Sequence, residues 1–343
     1  MGKSITSVIE NVRIVFDGSN CVITGTNLEH WLEAKIPASG GSLGFVPDDT
    51  KALIKACKHF KGKIVFEGYQ HDDTFKVSND NKSATPRCCT DENCPEFPAT
   101  ESVTEYKANA KALSERIGKI SYAAAIGKEA RPILTGICFT GENIAAVNGM
   151  RLAVTKDPAL TVEGEFVLPA KSLKLLDTFG TDDLRIYVSK KYVWFSNPSD
   201  NLRLCIRRFE DEFLKLEKVI PSDDSVKEIY TINTAEYLNE LKYLKDMMIS
   251  THKECVKFEG GKLSLISERG DFVTKIKIAG RADIVYGFNC DYMLDALNHL
   301  KAAKSLTVKV CGHNMPIIMS DNQADTVVVL PVRLEEVKRR MAA

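Results

Sequence analysis

Phe45-Val46-Pro47-Asp48-Asp49-Thr50, Phe166-Val167-Leu168-Pro169-Ala170-Lys171 and Phe288-Asn289-Cys290-Asp291-Tyr292-Met293 are three versions of one passage, an apolar run that leads directly into helical spacing. Their leading phenylalanines stand 121 and 122 residues apart. A second landmark keeps the step: a strand closes in a polar turn at Asn27, at Asn148 and at Ser267, and a new strand follows, with Asn27 and Asn148 again 121 residues apart. Solenoid repeats run from about 20 to 50 residues. A period this long is instead a whole domain occurring three times.

Each copy mixes both periodicities. β-rich runs at 12–16, 21–24, 187–196, 256–258, 262–266 and 308–310 are broken by Gly, Asn or Asp, as in antiparallel meanders. Apolar residues at helical spacing predict helices over 50–60, 106–120, 172–179, 235–248 and 292–300. The second and third copies thus carry an early and a late helix, and the first only a late one, so its opening strand and helix are expected to be missing. Polar stretches at 78–100 and 222–227 place the domains at 1–99, 100–225 and 226–343, the last with a C-terminal extension. The expected class is α+β.

The 343 residues are 44% hydrophobic and 27% charged, proportions of a globular chain able to bury real cores. The longest apolar runs, such as 326–331, fall far short of a membrane span, and the first residues lack a signal-peptide core, so a cytoplasmic protein is expected. Lys plus Arg is 46 and Asp plus Glu is 46, which excludes nucleic-acid binding by bulk positive charge and leaves only local patches.

Of ten cysteines only Cys88, Cys89 and Cys94 cluster, with His71 upstream; their spacing fits zinc poorly, and an inert polar insertion is the better reading. No nucleophile elbow, phosphate loop, dinucleotide fingerprint or zinc-protease motif occurs. No catalytic residue, metal or cofactor is expected.

Several strings in order resemble the bacterial beta sliding clamp, the processivity subunit of the replicative DNA polymerase III. They are Thr24 to Glu29, Arg131 to Phe139, Asn148 to Ala153, Phe166 to Lys171, Phe213 to Pro221, Phe288 to Asp295 and Val328 to Arg333. The resemblance implies three tandem clamp domains per chain, antiparallel sheets outside and helices lining a channel, with two chains joined head to tail as a homodimeric ring. It further implies a non-enzymatic tether that encircles double-stranded DNA without reading sequence. Such a tether holds the polymerase catalytic subunit, the clamp loader and other partners through their clamp-binding peptide motifs; no membrane is involved.

Topological retention needs only weak phosphate contacts, so zero net charge is compatible with it. Lys51, Lys55 and Lys58 share a helix face by spacing, as Lys107 and Lys111 are expected to, and Lys171 and Lys174 open the second late helix. Taken alone these lysines read as solvated faces. The resemblance turns them toward DNA and adds Lys128 and Arg131.

The resemblance also implies a partner-peptide cleft between the second and third domains. Its walls would be Leu134, Gly149, Met150, Leu152, Val219, Val328, Leu330, Pro331 and Val332. Tyr292, Met315 and Pro316 would shape the other half, with Lys218 and Arg333 at the rim. By composition alone Leu134, Leu152, Val219 and Leu330 read as core, whereas Pro331 marks a strand end with free backbone groups and Gly149 permits close backbone approach.

Three departures from the family pattern stand out: the shortened first copy, Leu214 where the family usually has proline, and a tail, 334–343, expected to form a short helix with acidic residues first and basic ones last. The shortened start motivates a second reading, a clamp-derived adaptor or decoy that keeps the cleft without encircling DNA. A thiol or metal enzyme built around Cys88, Cys89 and Cys94 is the third.

Overall fold

The structure, a computed structural model, describes residues 9–68, 72–100, 104–127, 129–249 and 254–341. Along the chain one topology occurs three times. In the first copy β1 (Arg13–Asp17), β2 (Asn20–Thr26) and β3 (His30–Pro37) form a meander, and β4 (Ser42–Pro47) returns to the free side of β1. Helix α1 (Thr50–Lys58) follows, then β5 (Val65–Glu67), β6 (Lys76–Ser78) and β7 (Ser83–Ala84), and β8 (Cys88–Cys89) folds back onto β4.

The second copy opens with β9 (Thr104–Asn109) and α2 (Ala110–Ile120). It repeats the meander as β10 (Gly136–Gly141), β11 (Asn143–Val147) and β12 (Arg151–Lys156), with β13 (Val162–Pro169) returning to β10. Helix α3 (Ala170–Leu173) continues as a 3-10 helix to Phe179 and is followed by β14 (Asp183–Val188), β15 (Tyr192–Ser196) and β16 (Leu202–Arg207).

After the short α4 (Leu216–Val219), the third copy runs β17 (Glu228–Asn233), α5 (Thr234–Met247), β18 (Cys255–Glu259), β19 (Lys262–Ile266), β20 (Phe272–Lys275), β21 (Ile278–Gly280), β22 (Tyr286–Phe288) and α6 (Cys290–Leu300). It ends with β23 (Ser305–Val310), β24 (Ile317–Ser320), β25 (Asp325–Val329), β26 (Pro331–Val332) and α7 (Leu334–Met341). The late helices begin at Thr50, Ala170 and Cys290, two equal steps of 120 residues.

Local chemistry explains why the copies share this shape. Each first hairpin turns on a Phe-x-Gly: Gly18, Gly141 and Gly260 follow Phe16, Phe139 and Phe258 by two residues and take φ of 96°, 55° and 54°, where a side chain is strained. Each second hairpin is held by a side-chain oxygen. Asn27 Oδ1 accepts from the Glu29 and His30 amides, Asn148 Oδ1 from those of Met150 and Arg151, and Ser267 Oγ from that of Arg269.

Two compact units result. One comprises the described residues up to Ala112 with Lys174–Arg208 and holds a nine-stranded sheet, β8-β4-β1-β2-β3-β16-β15-β14-β9. The other comprises Leu113–Leu173 with the described residues from Phe209 onward and holds a second nine-stranded sheet, β13-β10-β11-β12-β25-β24-β23-β17-β21, and a five-stranded one, β20-β19-β18-β22-β26. In each nine-stranded sheet the third meander strand of one copy pairs with the third strand after the late helix of the next: β3 with β16, and β12 with β25.

The second unit's main core stacks Tyr230 on Phe258 and Phe258 on Tyr286, with the two tyrosine hydroxyls 2.5 Å apart. Such rings bury enough apolar area to contribute about 1.5–3 kcal/mol each.

Some expectations need correction. Residues 106–109 belong to strand β9, not to a helix, because Asn109 accepts the Ala112 amide and starts α2 at Ala110. The run 187–196 is two strands, β14 and β15, turned at Ser189, whose Oγ accepts the Lys191 and Tyr192 amides. The 334–341 segment is helical, with Val337 buried. Among the described residues no helix is long and apolar enough to cross a membrane.

Candidate functional site

The seam of β12 with β25 is where the cleft residues gather. Leu152 pairs with Val328 in register, and both are buried in a cluster with Ile133, Val154, Phe213 and Ile318. Leu134 and Val219 pack against it half-buried. Just past the seam the Leu330 amide donates to the Met150 carbonyl at 2.9 Å, while the Met150 and Leu330 side chains stay exposed, at 53% and 37%. Gly149, at φ 87°, lets the chain turn under Met150.

The remaining cleft candidates lie on neighbouring elements. Pro331 and Val332 form β26 on β22, and Met315 is exposed in the β23–β24 connection beside Pro316. Lys218 is exposed on α4, and Arg333 is bonded to Glu336 in the first turn of α7. Leu214 is 38% exposed beside buried Phe213.

Tyr292 reaches the seam through a residue that the sequence reading passed over. The Arg151 guanidinium lies 4.7 Å from the Tyr292 ring centre and 5.1 Å from that of Tyr122, donates to the Tyr122 carbonyl at 2.8 Å, and pairs with Asp295. One cation therefore ties β12 to α6. The available signal was an arginine standing alone in the apolar run from Met150 to Val154.

His299 is buried on α6. Its Nδ1 lies 3.1 Å from the Lys119 carbonyl, which can only accept, so this nitrogen carries the proton. The other ring nitrogen stands 3.8 Å from Asp325 Oδ1, and neither atom has a hydrogen-bond partner among the described residues. Burial holds the imidazole below its ordinary range, and the Asp325 carboxylate opposes that shift.

The basic candidates fall into two kinds. Lys51, Lys55 and Lys58 are exposed on α1, away from buried Leu53, and Lys111, Arg131, Lys171 and Lys174 are exposed too. Lys107 does not share a helix face with Lys111. It lies on β9 opposite Arg185, on the sheet face turned from buried Ala108, Leu184 and Ile186. Lys128 lies outside the described residues.

Of the cysteine cluster, Cys88 and Cys89 are built into the sheet and Cys94 lies in the turn after it. Cys88 and Cys89 pair with Pro47 and Val46, and burial pushes the Cys88 and Cys94 thiols up to about 11, away from thiolate chemistry. Among the described residues no group of three or more His, Cys, Asp or Glu side chains converges as metal ligands, and His71 lies outside them.

No protein-family model and no curated protein sequence matches the chain. Solved structures do. The DNA polymerase III beta subunit of Thermotoga maritima is 21% identical, with a TM-score of 0.80 over 97% of this chain and 94% of that one. The beta subunit of Streptococcus pyogenes is 16% identical, with a TM-score of 0.83 over the same shares. A sliding clamp from Pseudomonas aeruginosa, bound to griselimycin, is 16% identical, with a TM-score of 0.81 over 97% and 94%. What the three share with this chain is architecture over nearly its full length: the chain is folded as a bacterial beta sliding clamp.

Proposed function

We propose that the chain is a non-catalytic DNA sliding clamp, a cytoplasmic homodimer that encircles duplex DNA and tethers a replicative polymerase and other partners by short peptide segments. The observation that carries this reading is the repeated seam. The third meander strand of copy one is capped by the third strand after the late helix of copy two, β16, and that of copy two by the corresponding strand of copy three, β25. The third copy's equivalent strand, β20, pairs with β19 alone among the described residues, and β7 of the first copy pairs with β6 alone. An open strand edge is a template for another chain, and two edges of complementary type on one molecule suit a head-to-tail pair.

In this reading the domains are 1–99, 100–225 and 226–343, and the exposed cations of α1, α2 and α3, with Arg131 and Lys128, meet phosphates. Partner segments lie across the second seam, against Leu152, Val328, Met150 and Leu330. Retention on DNA tests the reading directly. The protein is expected at twice 38.1 kDa in solution, and once loaded it should stay on closed circular plasmid and leave when the plasmid is cut. Equal loss from circular and linear DNA would overturn the ring and leave a peptide-binding adaptor.

A further inference from the structure

The first seam repeats the geometry of the second, and its outer face carries chemistry that the clamp reading leaves unused. Trp31 pairs with Cys205 where Leu152 pairs with Val328. The Arg207 amide donates to the Glu29 carbonyl at 2.8 Å where the Leu330 amide donates to that of Met150 at 2.9 Å. Trp194 occupies the next strand as Ile318 does. The segment that enters the second copy closes over this seam: the Trp194 indole N–H donates to the Pro98 carbonyl at 3.0 Å, and Phe97 lies 4.5 Å beneath the Arg203 guanidinium.

Beside that segment the sheet leaves a cleft of about 350 Å³, floored by Trp194 and Ser196 and walled by Tyr187, Arg185, Arg203 and Asp200. One of its two guanidiniums lacks a carboxylate partner among the described residues. Glu33 holds Arg203 through two bonds, of 3.1 and 2.6 Å. Arg185 is exposed, reaches only the Pro198 carbonyl at 3.3 Å among the described residues, and has Lys107 directly opposite on β9. Of the two guanidiniums that line the cleft with Asp200, Arg203 is thus neutralised by Glu33, and Arg185 is left with no carboxylate partner among the described residues, beside the rings of Tyr187 and Trp194; Glu105 stands on the same face, opposite Tyr187. Trp31 and Trp194 are 6% and 4% exposed, so neither offers a ring face for stacking nucleic-acid bases.

We propose that the outer face of the first seam is a second docking groove. It takes a partner's linear segment in which an Asp or Glu side chain engages Arg185 and an adjacent apolar residue packs on Tyr187 and the edge of Trp194. The inference rests on the clamp reading only for the class of occupant, a linear peptide; the groove and the exposed Arg185 that lines it are observed.

The chain's only two tryptophans, Trp31 and Trp194, both sit in this seam, so indole emission reports on it and not on the second. A displayed library of random short peptides is selected on the full-length protein and counter-selected on Arg185→Glu, a surface change whose folding is checked by thermal melt. Enriched peptides should carry an acid beside an apolar residue and shift the tryptophan emission. They should bind Arg185→Glu roughly tenfold or more weakly, as for truncation of a charge pair at an interface, and Leu330→Asp unchanged.

A selection that yields no peptide sensitive to Arg185→Glu, or peptides that leave the emission unmoved, overturns the groove. So does a single-stranded oligothymidylate that produces the shift in their place. Peptides lost in Leu330→Asp but not in Arg185→Glu belong to the second seam, and their absence counts against that reading alone.

Discussion

Leu28 takes φ of 70° in the turn where the second copy has Gly149 at 87°. The left-handed region costs an ordinary residue about 1–2 kcal/mol, and Leu28 is 43% exposed, so it gains little burial in return. Leu28→Gly should therefore stabilise the protein by about 0.5–1 kcal/mol after the extra freedom glycine gives the unfolded chain, read as a higher denaturation midpoint. Gly149→Ala should move it the other way by a similar amount. Asn27 and Asn148 announced this turn in the sequence because an Asx turn is local. Arg151 and His299 did not announce their roles, because these depend on Tyr292, Asp295, Lys119 and Asp325, far away along the chain. His299 predicts a pH effect of definite sign. Its folded-state pKa lies below the unfolded value of about 6.5, so above that value both states are neutral and its contribution is complete. As pH falls below it the unfolded chain takes up a proton that the folded one resists, and stability declines until the folded pKa is passed. Between about pH 7.5 and about pH 5.5 the urea midpoint should drop more for the wild type than for His299→Gln, with equal drops removing the assignment.

At the scale of elements, helical periodicity located all five helices predicted, since an amphipathic stripe is written within one helix. It erred at 106–109, where the residues of β9 alternate in a way that also fits a helical turn, and only the Asn109 cap divides strand from helix. The Phe-x-Gly hairpins at Gly18, Gly141 and Gly260 were legible but are too short a signal to stand out without the pairing that aligns them. The seams were not legible at all, because β3 meets β16 and β12 meets β25 across more than a hundred residues and neither strand names its partner. The consequence of those seams is testable on β20. In an antiparallel edge strand successive N–H groups point alternately inward and outward. Of Val273→Pro and Thr274→Pro, one removes a bond to β19 and the other an outward donor. Exactly one of the pair is thus expected to weaken the dimer in sedimentation while leaving the thermal midpoint of the diluted protein near that of the wild type. Two variants that both dimerise normally would exclude β20 as the contact edge.

For the whole molecule, the balance of 46 basic and 46 acidic residues decides which kind of DNA contact is possible. A protein that held duplex DNA by neutralising many phosphates would lose affinity steeply with salt, by about a thousandfold or more between low and moderate ionic strength for six to ten contacts. A chain with zero net charge and only local rows such as Lys51, Lys55 and Lys58 on α1 lacks the long-range field for that mode. If retention comes from closure around the duplex, it is set by how often the subunit contacts open, not by phosphate affinity. The two terms then separate in one experiment. Raising salt should weaken binding to linear duplex strongly and change the residence time on closed circular DNA by less than about tenfold. Lys51→Glu with Lys55→Glu and Lys58→Glu should lower the yield of loaded protein, which depends on the first encounter with phosphates, and leave the residence time of what has loaded nearly unchanged. A residence time on circles that falls with salt as steeply as binding to linear DNA would mean that the charges, and not the ring, hold the protein in place.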